Sequence, residues 1–163
     1  MTERFTTARS TSPAPAVVTA CVVVLASLSC GTPDPDLIPD EVLQTTLGLG
    51  EGDRVHTVTV TTGVGERSEP DTVVVRPGDL VEFVSTDWFV HEVRFDVEAL
   101  DPAARSFLVR TAQMASPPLL QRDARFVVSF ADAPEGRYPY VLVGNRASGA
   151  GAVVVTTIDP SDG

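Results

Sequence analysis

From Asp53 onward, the chain contains a series of short segments in which apolar and polar residues alternate with a period of two. These segments are rich in Val, Thr, Phe and Tyr and are separated by Gly, Pro and Asp, a pattern typical of β-strands joined by turns. Strands are predicted at 55–62, 72–76, 80–85, 91–96, 125–130, 138–143 and 151–157. So many short strands in about a hundred residues favour a β-sandwich.

One segment departs from the strand pattern. Asp101 and Pro102 are a helix N-cap and a first-turn proline, and apolar residues such as Phe107 and Leu108 follow at helical spacing. The run stops at Ser116-Pro117-Pro118. The sequence therefore predicts an all-β domain interrupted by one short helix.

Length and charge limit the classes of function. The chain has 163 residues, enough for one ordinary domain, and 43% of them are apolar, which is too many for a disordered protein. Its formal charge is -10, and nucleic-acid-binding domains need basic patches. No nucleic-acid partner is expected.

The first thirty residues have the order of a secretory signal. Arg4 and Arg9 precede an apolar run over 16–28, and small residues follow it. A permanent transmembrane helix is the alternative, but the run is shorter than the roughly 20 apolar residues that span a bilayer. We therefore predict an exported protein of the cell envelope or periplasm.

Leu28-Ser29-Cys30-Gly31 resembles the lipobox of bacterial lipoproteins, which implies lipid attachment at Cys30 and a membrane anchor. The alternatives are an ordinary cleavage site near Cys30, or a lipobox ending at Cys21, which has too short an apolar run before it. The predicted organisation is a signal peptide at 1–30, a flexible spacer at 31–52, the β domain at 53–158 and a tail at 159–163.

Two stretches of the β domain resemble the plastocyanin-type cupredoxins. The first runs from Val73 to Val84 through the turn Arg76-Pro77-Gly78-Asp79 and is followed by a strand that opens with His91. The second, from Ala133 to Val155, is similar to the closing hairpin of that family. The resemblance implies a cupredoxin-like Greek-key β-sandwich, in which His91 stands at the position of the first copper ligand.

The same resemblance implies that the other copper ligands have been lost. A type 1 site needs two imidazoles, a thiolate and a weak axial ligand. Matching the closing hairpin places Val141 at the cysteine position, Gly144 at the second histidine and Gly149 at the methionine. Both cysteines of the chain lie within its first thirty residues, so the β domain offers no thiolate. No cofactor is expected, with copper as the alternative.

A rebuilt metal site is the alternative at His91. His56 and Met114 could approach it in space, whereas the simpler interpretation makes His91 a hydrogen-bonded residue that faces the core at the sandwich rim. Trp88 and Phe89, in the preceding loop, are expected to fill the rim of the core rather than contact a partner.

The functional hypothesis is a tethered, non-redox binding or structural module with an envelope protein as partner. The chain carries no nucleophile elbow, phosphate-binding loop or His-Glu-x-x-His motif, so enzymatic activity is not expected. The alternative function is copper binding, for electron transfer or copper handling, at an unconventional site around His91.

Overall fold

The computed structural model describes residues 35–158, which form two four-stranded sheets with one helix inserted and a second helix before the first strand. The strands, in chain order, are β1 (Val55–Thr62), β2 (Glu66–Glu69), β3 (Thr72–Val75), β4 (Leu80–Ser85), β5 (His91–Phe95), β6 (Arg125–Ser129), β7 (Gly136–Gly144) and β8 (Gly149–Val155). The α-helices are α1 (Glu41–Leu47) and α2 (Pro102–Arg110), and a short 3-10 helix spans Pro35–Leu37. The predicted all-β sandwich with one short helix inside the domain is confirmed.

The two sheets have mixed strand directions. One has the order β2-β1-β4-β6 and the other β3-β8-β7-β5. β1 runs parallel to β4, and β3 runs parallel to β8, while the remaining neighbours are antiparallel. The chain therefore passes repeatedly between the sheets rather than completing one before starting the other.

Alternation along the strands builds the core between the sheets. Val58, Val60 and Phe83 from one sheet meet Tyr140 and Leu142 from the other, and all five are essentially inaccessible to solvent. Phe83 packs edge-on against Tyr140 with ring centroids 5.0 Å apart, an arrangement that aromatic quadrupoles favour. Such burial contributes about 1.5–3 kcal/mol for each large side chain.

The insert and the turns follow their local sequence. α2 begins where Asp101 accepts a hydrogen bond from the backbone N–H of Ala104, as an N-cap does, and it buries Phe107 and Leu108. In the turn before β4, Gly78 has φ +104°, a conformation that side chains with a Cβ rarely adopt. The predicted helix and turn are confirmed.

The structure differs from the sequence prediction in two elements. β2 was not predicted, because three of the four residues in Glu66-Arg67-Ser68-Glu69 are charged. The predicted flexible spacer at 31–52 contains α1, whose Leu43 is buried against Val55 and Leu80 on the outer surface of the first sheet. Part of that spacer is thus packed onto the domain, because Leu43 gains apolar contacts and Asp40 pairs with Arg125 at 2.7 Å.

The predicted signal peptide, Cys21, Cys30 and the tail at 159–163 lie outside the described residues. Within residues 35–158, no helix has the length and apolar character needed to cross a membrane.

Candidate functional site

His91 opens β5 on the face that points into the sandwich. It is paired with Gly144 of β7, and its side chain is completely buried, as is Val93 further along the same face, while Phe95 is nearly so. The prediction that His91 faces the core is confirmed. A fully buried imidazole has lost its water partners, so its two ring nitrogens need partners in the protein.

Two carboxylates supply those partners. His91 Nδ1 lies 2.7 Å from Glu66 Oε2, and His91 Nε2 lies 2.8 Å from Asp87 Oδ1. A carboxylate accepts hydrogen bonds, so each ring nitrogen of His91 has a hydrogen-bond acceptor beside it. We call Glu66, His91 and Asp87 the ion-pair cluster.

Glu66 reaches the cluster from β2 and is itself buried. Its carboxylate also accepts hydrogen bonds from the Thr62 hydroxyl, at 3.3 Å and 3.2 Å to its two oxygens. The alternation in β2 buries Glu66 and Ser68 and exposes Arg67 and Glu69. A buried carboxylate is stabilised only by such pairing, since an isolated charge in the interior costs several kcal/mol.

Asp87 reaches the cluster from the loop between β4 and β5. It accepts hydrogen bonds from the backbone N–H groups of Thr62 and Phe89, both at 2.8 Å, in addition to the bond from His91. Burial by itself raises the pKa of Asp87, but these hydrogen bonds and the charge of His91 outweigh it and lower that pKa to about 2. Asp87 is therefore a carboxylate at neutral pH.

The Glu66 side chain fills the space where the sequence resemblance would place copper ligands. A Cβ added at Gly144 would lie 2.2 Å from Glu66 Oε1 and 2.7 Å from the Val90 carbonyl oxygen. A Cβ added at Gly149 would lie 2.1 Å from the Glu66 carbonyl oxygen. Any side chain at either position would collide with β2, so both glycines are required for the approach of Glu66 to His91.

The third matched position, Val141, lies on the other face of the sheet. It pairs with Arg94, which is exposed, and it lines a shallow cleft of about 240 Å³ on the outer surface together with Asp96 and Arg137. The residues of β7 on the face of His91 are Tyr140, Leu142 and Gly144. The residue that shares the interior near His91 is therefore Leu142 rather than Val141.

His56 and Met114 do not come near His91. His56 lies at the start of β1, where its Nε2 is 2.9 Å from Asp79 Oδ2, whereas His91 lies beside the end of β1 at Thr62. The six residue steps from His56 to Thr62 along the strand span about 20 Å. The Met114 carbonyl oxygen accepts a hydrogen bond from Phe95, at the far end of β5, about 13 Å along the strand from His91.

These residues do not fit a type 1 copper ion. Both nitrogens of His91 are bound to carboxylates on opposite edges of the ring, so neither presents a lone pair toward a shared point. Among residues 35–158, no group of three or more His, Cys, Asp or Glu side chains is arranged to hold a metal ion. The ion-pair cluster can hold neighbouring loops in place. It lacks the thiolate and thioether ligands that allow a type 1 copper ion to change between Cu(I) and Cu(II).

Sequence reasoning missed Glu66, the residue that completes the site. The available signal was the alternation of Glu66-Arg67-Ser68-Glu69 between Gly65 and Pro70, which is compatible with a short edge strand despite its charges. Asp87 was noted within the family-like stretch, but no pairing with His91 was assigned to it.

Trp88 and Phe89, expected to fill the rim of the core, are instead on the surface. Trp88 is 75% exposed and Phe89 is 45% exposed. The loop turns them outward because Asp87, immediately before them, points inward to His91 and holds the Phe89 N–H.

Comparison with known proteins gives structural similarity without a family match. A search of protein-family models finds no match to this chain. Among solved structures, the chain is similar to an amicyanin mutant in its reduced state, at 18% identity and a TM-score of 0.44, over 68% of this chain and 88% of amicyanin. It is also similar to oxidized plastocyanin from Dryopteris crassirhizoma, at 23% identity and a TM-score of 0.46, over 61% of this chain and 99% of plastocyanin.

A purple cupredoxin from Nitrosopumilus maritimus is similar at 22% identity and a TM-score of 0.41, over 62% of this chain and 99% of that protein. All three TM-scores are below 0.5. The strand order and the single inserted helix of residues 35–158 agree with the cupredoxin-like sandwich that the sequence motifs imply.

Proposed function

We propose that this chain is an exported, non-redox binding module in which a buried ion-pair cluster has replaced the copper site implied by its cupredoxin-like sequence. One observation carries the proposal: both ring nitrogens of His91, at the position of the first copper ligand, lie within hydrogen-bond distance of carboxylates, those of Glu66 and Asp87. No catalytic role is assigned, and no cofactor is required.

The ion-pair cluster can crosslink neighbouring elements, as a bound metal ion does, without providing redox chemistry. It joins β5 to β2 through Glu66 and to the β4–β5 loop through Asp87. A metal ion would link the same kind of elements, but it would need a free imidazole lone pair and further ligands. The cluster therefore favours rigid loops and protein binding over electron transfer.

Copper titration of the purified chain tests this proposal. Absorption and paramagnetic resonance would follow Cu(II), and Cys21→Ser with Cys30→Ser would remove thiolates outside the β domain. We expect no stoichiometric binding that depends on His91. In Glu66→Ala, which frees Nδ1, copper binding that the parent lacks would show that the carboxylate blocks the site.

One pattern of copper binding would contradict the proposal. Tight binding that is lost in His91→Ala and retained in His56→Ala would overturn the proposal. It would favour the alternative function, copper binding at an unconventional site around His91. Because His56 lies at the opposite end of β1, it is a matched control for a general histidine effect.

The proposal includes attachment to a membrane through Cys30. Its support is the signal-like order of the first thirty residues and the lipobox-like sequence at 28–31. Cys30→Ser should move the protein from the membrane fraction to the soluble fraction of the envelope, while Cys21→Ser should leave it in place. Unchanged fractionation of Cys30→Ser would refute lipid attachment at that residue.

A further inference from the structure

Several connections converge at the end of the sandwich where His91 lies. They are the β1–β2 turn (63–65), the β4–β5 loop (86–90), the segment before β6 (119–124) and the β7–β8 turn (145–148). We call these the end loops. Their backbones are joined to neighbouring elements: Glu66 N–H donates to the Ala147 carbonyl at 2.8 Å, and Leu119 N–H donates to the His91 carbonyl at 2.8 Å.

Large apolar side chains from three of the end loops are exposed to solvent. Their exposed fractions are 97% for Val64, 75% for Trp88, 65% for Leu120, 45% for Phe89 and 38% for Val90. We call these five residues the apolar end. Single exposed apolar residues are ordinary, but several gathered on adjacent loops, including a tryptophan, are typical of binding surfaces.

The charges around the apolar end differ from those of the whole chain. Arg67, Arg122 and Arg146 are exposed there, and none of them forms an ion pair with another residue in the described part of the chain. Of the carboxylates at this end, Glu66 and Asp87 are turned inward to His91, and Asp123 is exposed beside Arg122. A chain with a formal charge of -10 thus presents unpaired arginines at this end.

We propose that the apolar end is the docking surface for an acidic protein partner, which receives Trp88 in an apolar pocket ringed by carboxylates that pair with the arginines. This inference deepens the proposed function, on which it rests, by naming the surface and the chemistry of the partner. Tryptophan and arginine are the residues most enriched among those that dominate binding energy.

The ion-pair cluster prepares this surface for binding. Asp87 is held by His91 and by Thr62 and Phe89 backbone N–H groups, which fixes the loop that carries Trp88. A surface that is already ordered loses less conformational entropy when it binds. The cluster is therefore a positioning device and does not itself contact the partner.

Charge favours a protein over an anionic membrane as the occupant. A bilayer surface extends well beyond the apolar end, so its negative potential would also act on the acidic remainder of the domain within about a Debye length of 8–10 Å. The carboxylates of a protein partner can be confined to the area facing the arginines. Electrostatic complementarity of this local kind steers association and selects the partner.

Site-specific photo-crosslinking in the native envelope tests the proposal with the full-length chain. A photo-crosslinking amino acid at Leu120 probes the apolar end, and the same group at Val109, which is 61% exposed on α2, is the control. We expect a discrete partner adduct from Leu120 only, and mass spectrometry of that adduct should identify a protein whose contact surface is acidic.

Two variants then define the contact. Trp88→Ala should lower the adduct yield at least about tenfold, as for an interface tryptophan. Arg146→Glu should lower it severalfold and reduce the salt dependence of binding, whereas Arg137→Glu, exposed at the other end of β7, should leave it unchanged. Circular dichroism of each variant would verify that the fold is retained.

Three results would overturn the proposal: equal adducts from Leu120 and Val109, adduct yield unaffected by Trp88→Ala, or Trp88-dependent binding to phosphatidylglycerol vesicles. The last would identify the occupant as a membrane. If the docking hypothesis is wrong, the result of the copper titration does not change. If copper binding depends on His91, the non-redox function itself is refuted. The two failures can therefore be told apart.

Discussion

At the scale of single residues, the decisive contact is that of His91 with Glu66. The family resemblance places His91 at a copper-ligand position whose other ligands are missing. In the folded chain, each ring nitrogen of His91 instead lies next to a carboxylate. Removing one member of a buried charged pair leaves the other charge without compensation, which is costlier than losing an exposed pair.

This difference predicts unequal effects of two glutamate substitutions. Glu66→Ala should lower the free energy of unfolding by about 3 kcal/mol, because it leaves the buried His91 ring with one of its two carboxylate partners. Glu92→Ala removes the surface pair with Arg94, at 2.7 Å, and should cost at most about 1 kcal/mol. Urea denaturation measures both, and Glu66→Gln provides a milder second variant. Equal losses would contradict the role given to the cluster.

Gly144 provides a second test at the residue scale. Gly144→Ala should destabilise the fold by about 1–3 kcal/mol, because its Cβ would overlap the Glu66 carboxylate. Gly52→Ala is the control, since a Cβ at Gly52 meets nothing within 4 Å. In a double-mutant cycle, Glu66→Ala should relieve part of the Gly144→Ala penalty. Strictly additive losses would mean that the two residues do not compete for the same space.

At the scale of secondary-structure elements, β2 and α1 are the parts that sequence patterns did not reveal. β2 is a short, mostly charged edge strand whose inward residues, Glu66 and Ser68, are polar. Ser68 is retained there by the Tyr140 hydroxyl, which donates to its Oγ at 3.0 Å. In α1, only Leu43 is buried, so its helical pattern carries too little apolar periodicity to be recognised.

The packing of α1 can be measured through Leu43. Leu43→Ala should lower the free energy of unfolding by about 2 kcal/mol, the lower end for a buried leucine, because it vacates the contact with Val55 and Leu80. Leu47→Ala, at a half-exposed position of the same helix, should cost less than about 0.5 kcal/mol. Limited proteolysis between 41 and 52 should also accelerate in Leu43→Ala alone. If both variants behave alike, α1 is not docked in solution.

At the scale of the whole molecule, stability in acid should report on the ion-pair cluster. The folded-state pKa of Asp87 is about 2, below its ordinary value of 3.8, so the unfolded chain binds the proton more readily. The contribution of Asp87 is therefore fully present above about pH 5 and is lost as the pH falls toward 2. At about 1.4 kcal/mol per pKa unit, it amounts to about 2 kcal/mol.

Comparison of the parent with Asp87→Asn isolates this contribution from those of other carboxylates. The difference in the free energy of unfolding should be about 2 kcal/mol at pH 6 and should shrink toward zero near pH 2. Asp123→Asn, on an exposed residue of the end loops, should differ from the parent by less than about 0.5 kcal/mol at both pH values. A pH-independent difference for Asp87→Asn would show that its charge is not responsible.

Local sequence patterns were enough to predict the fold class, most strand bounds and the inward direction of His91. β1 and β4 lie at their predicted bounds, and the other predicted strands agree within two residues. The physical reason is that these signals are local. They are the alternation of apolar residues, turn residues such as Gly78 and the helix cap at Asp101, and each acts over a few positions of the sequence.

The role of His91 depends on contacts between distant segments of the chain. Its partners lie 25 residues before it and 4 residues before it, and the closer one gives no sign in sequence of pointing inward. Whether a buried imidazole meets a metal or a carboxylate depends on strand register, and here the pairing of His91 with Gly144 leaves the space that Glu66 occupies. Contacts between distant segments are set by the packing of whole sheets, which local patterns do not encode.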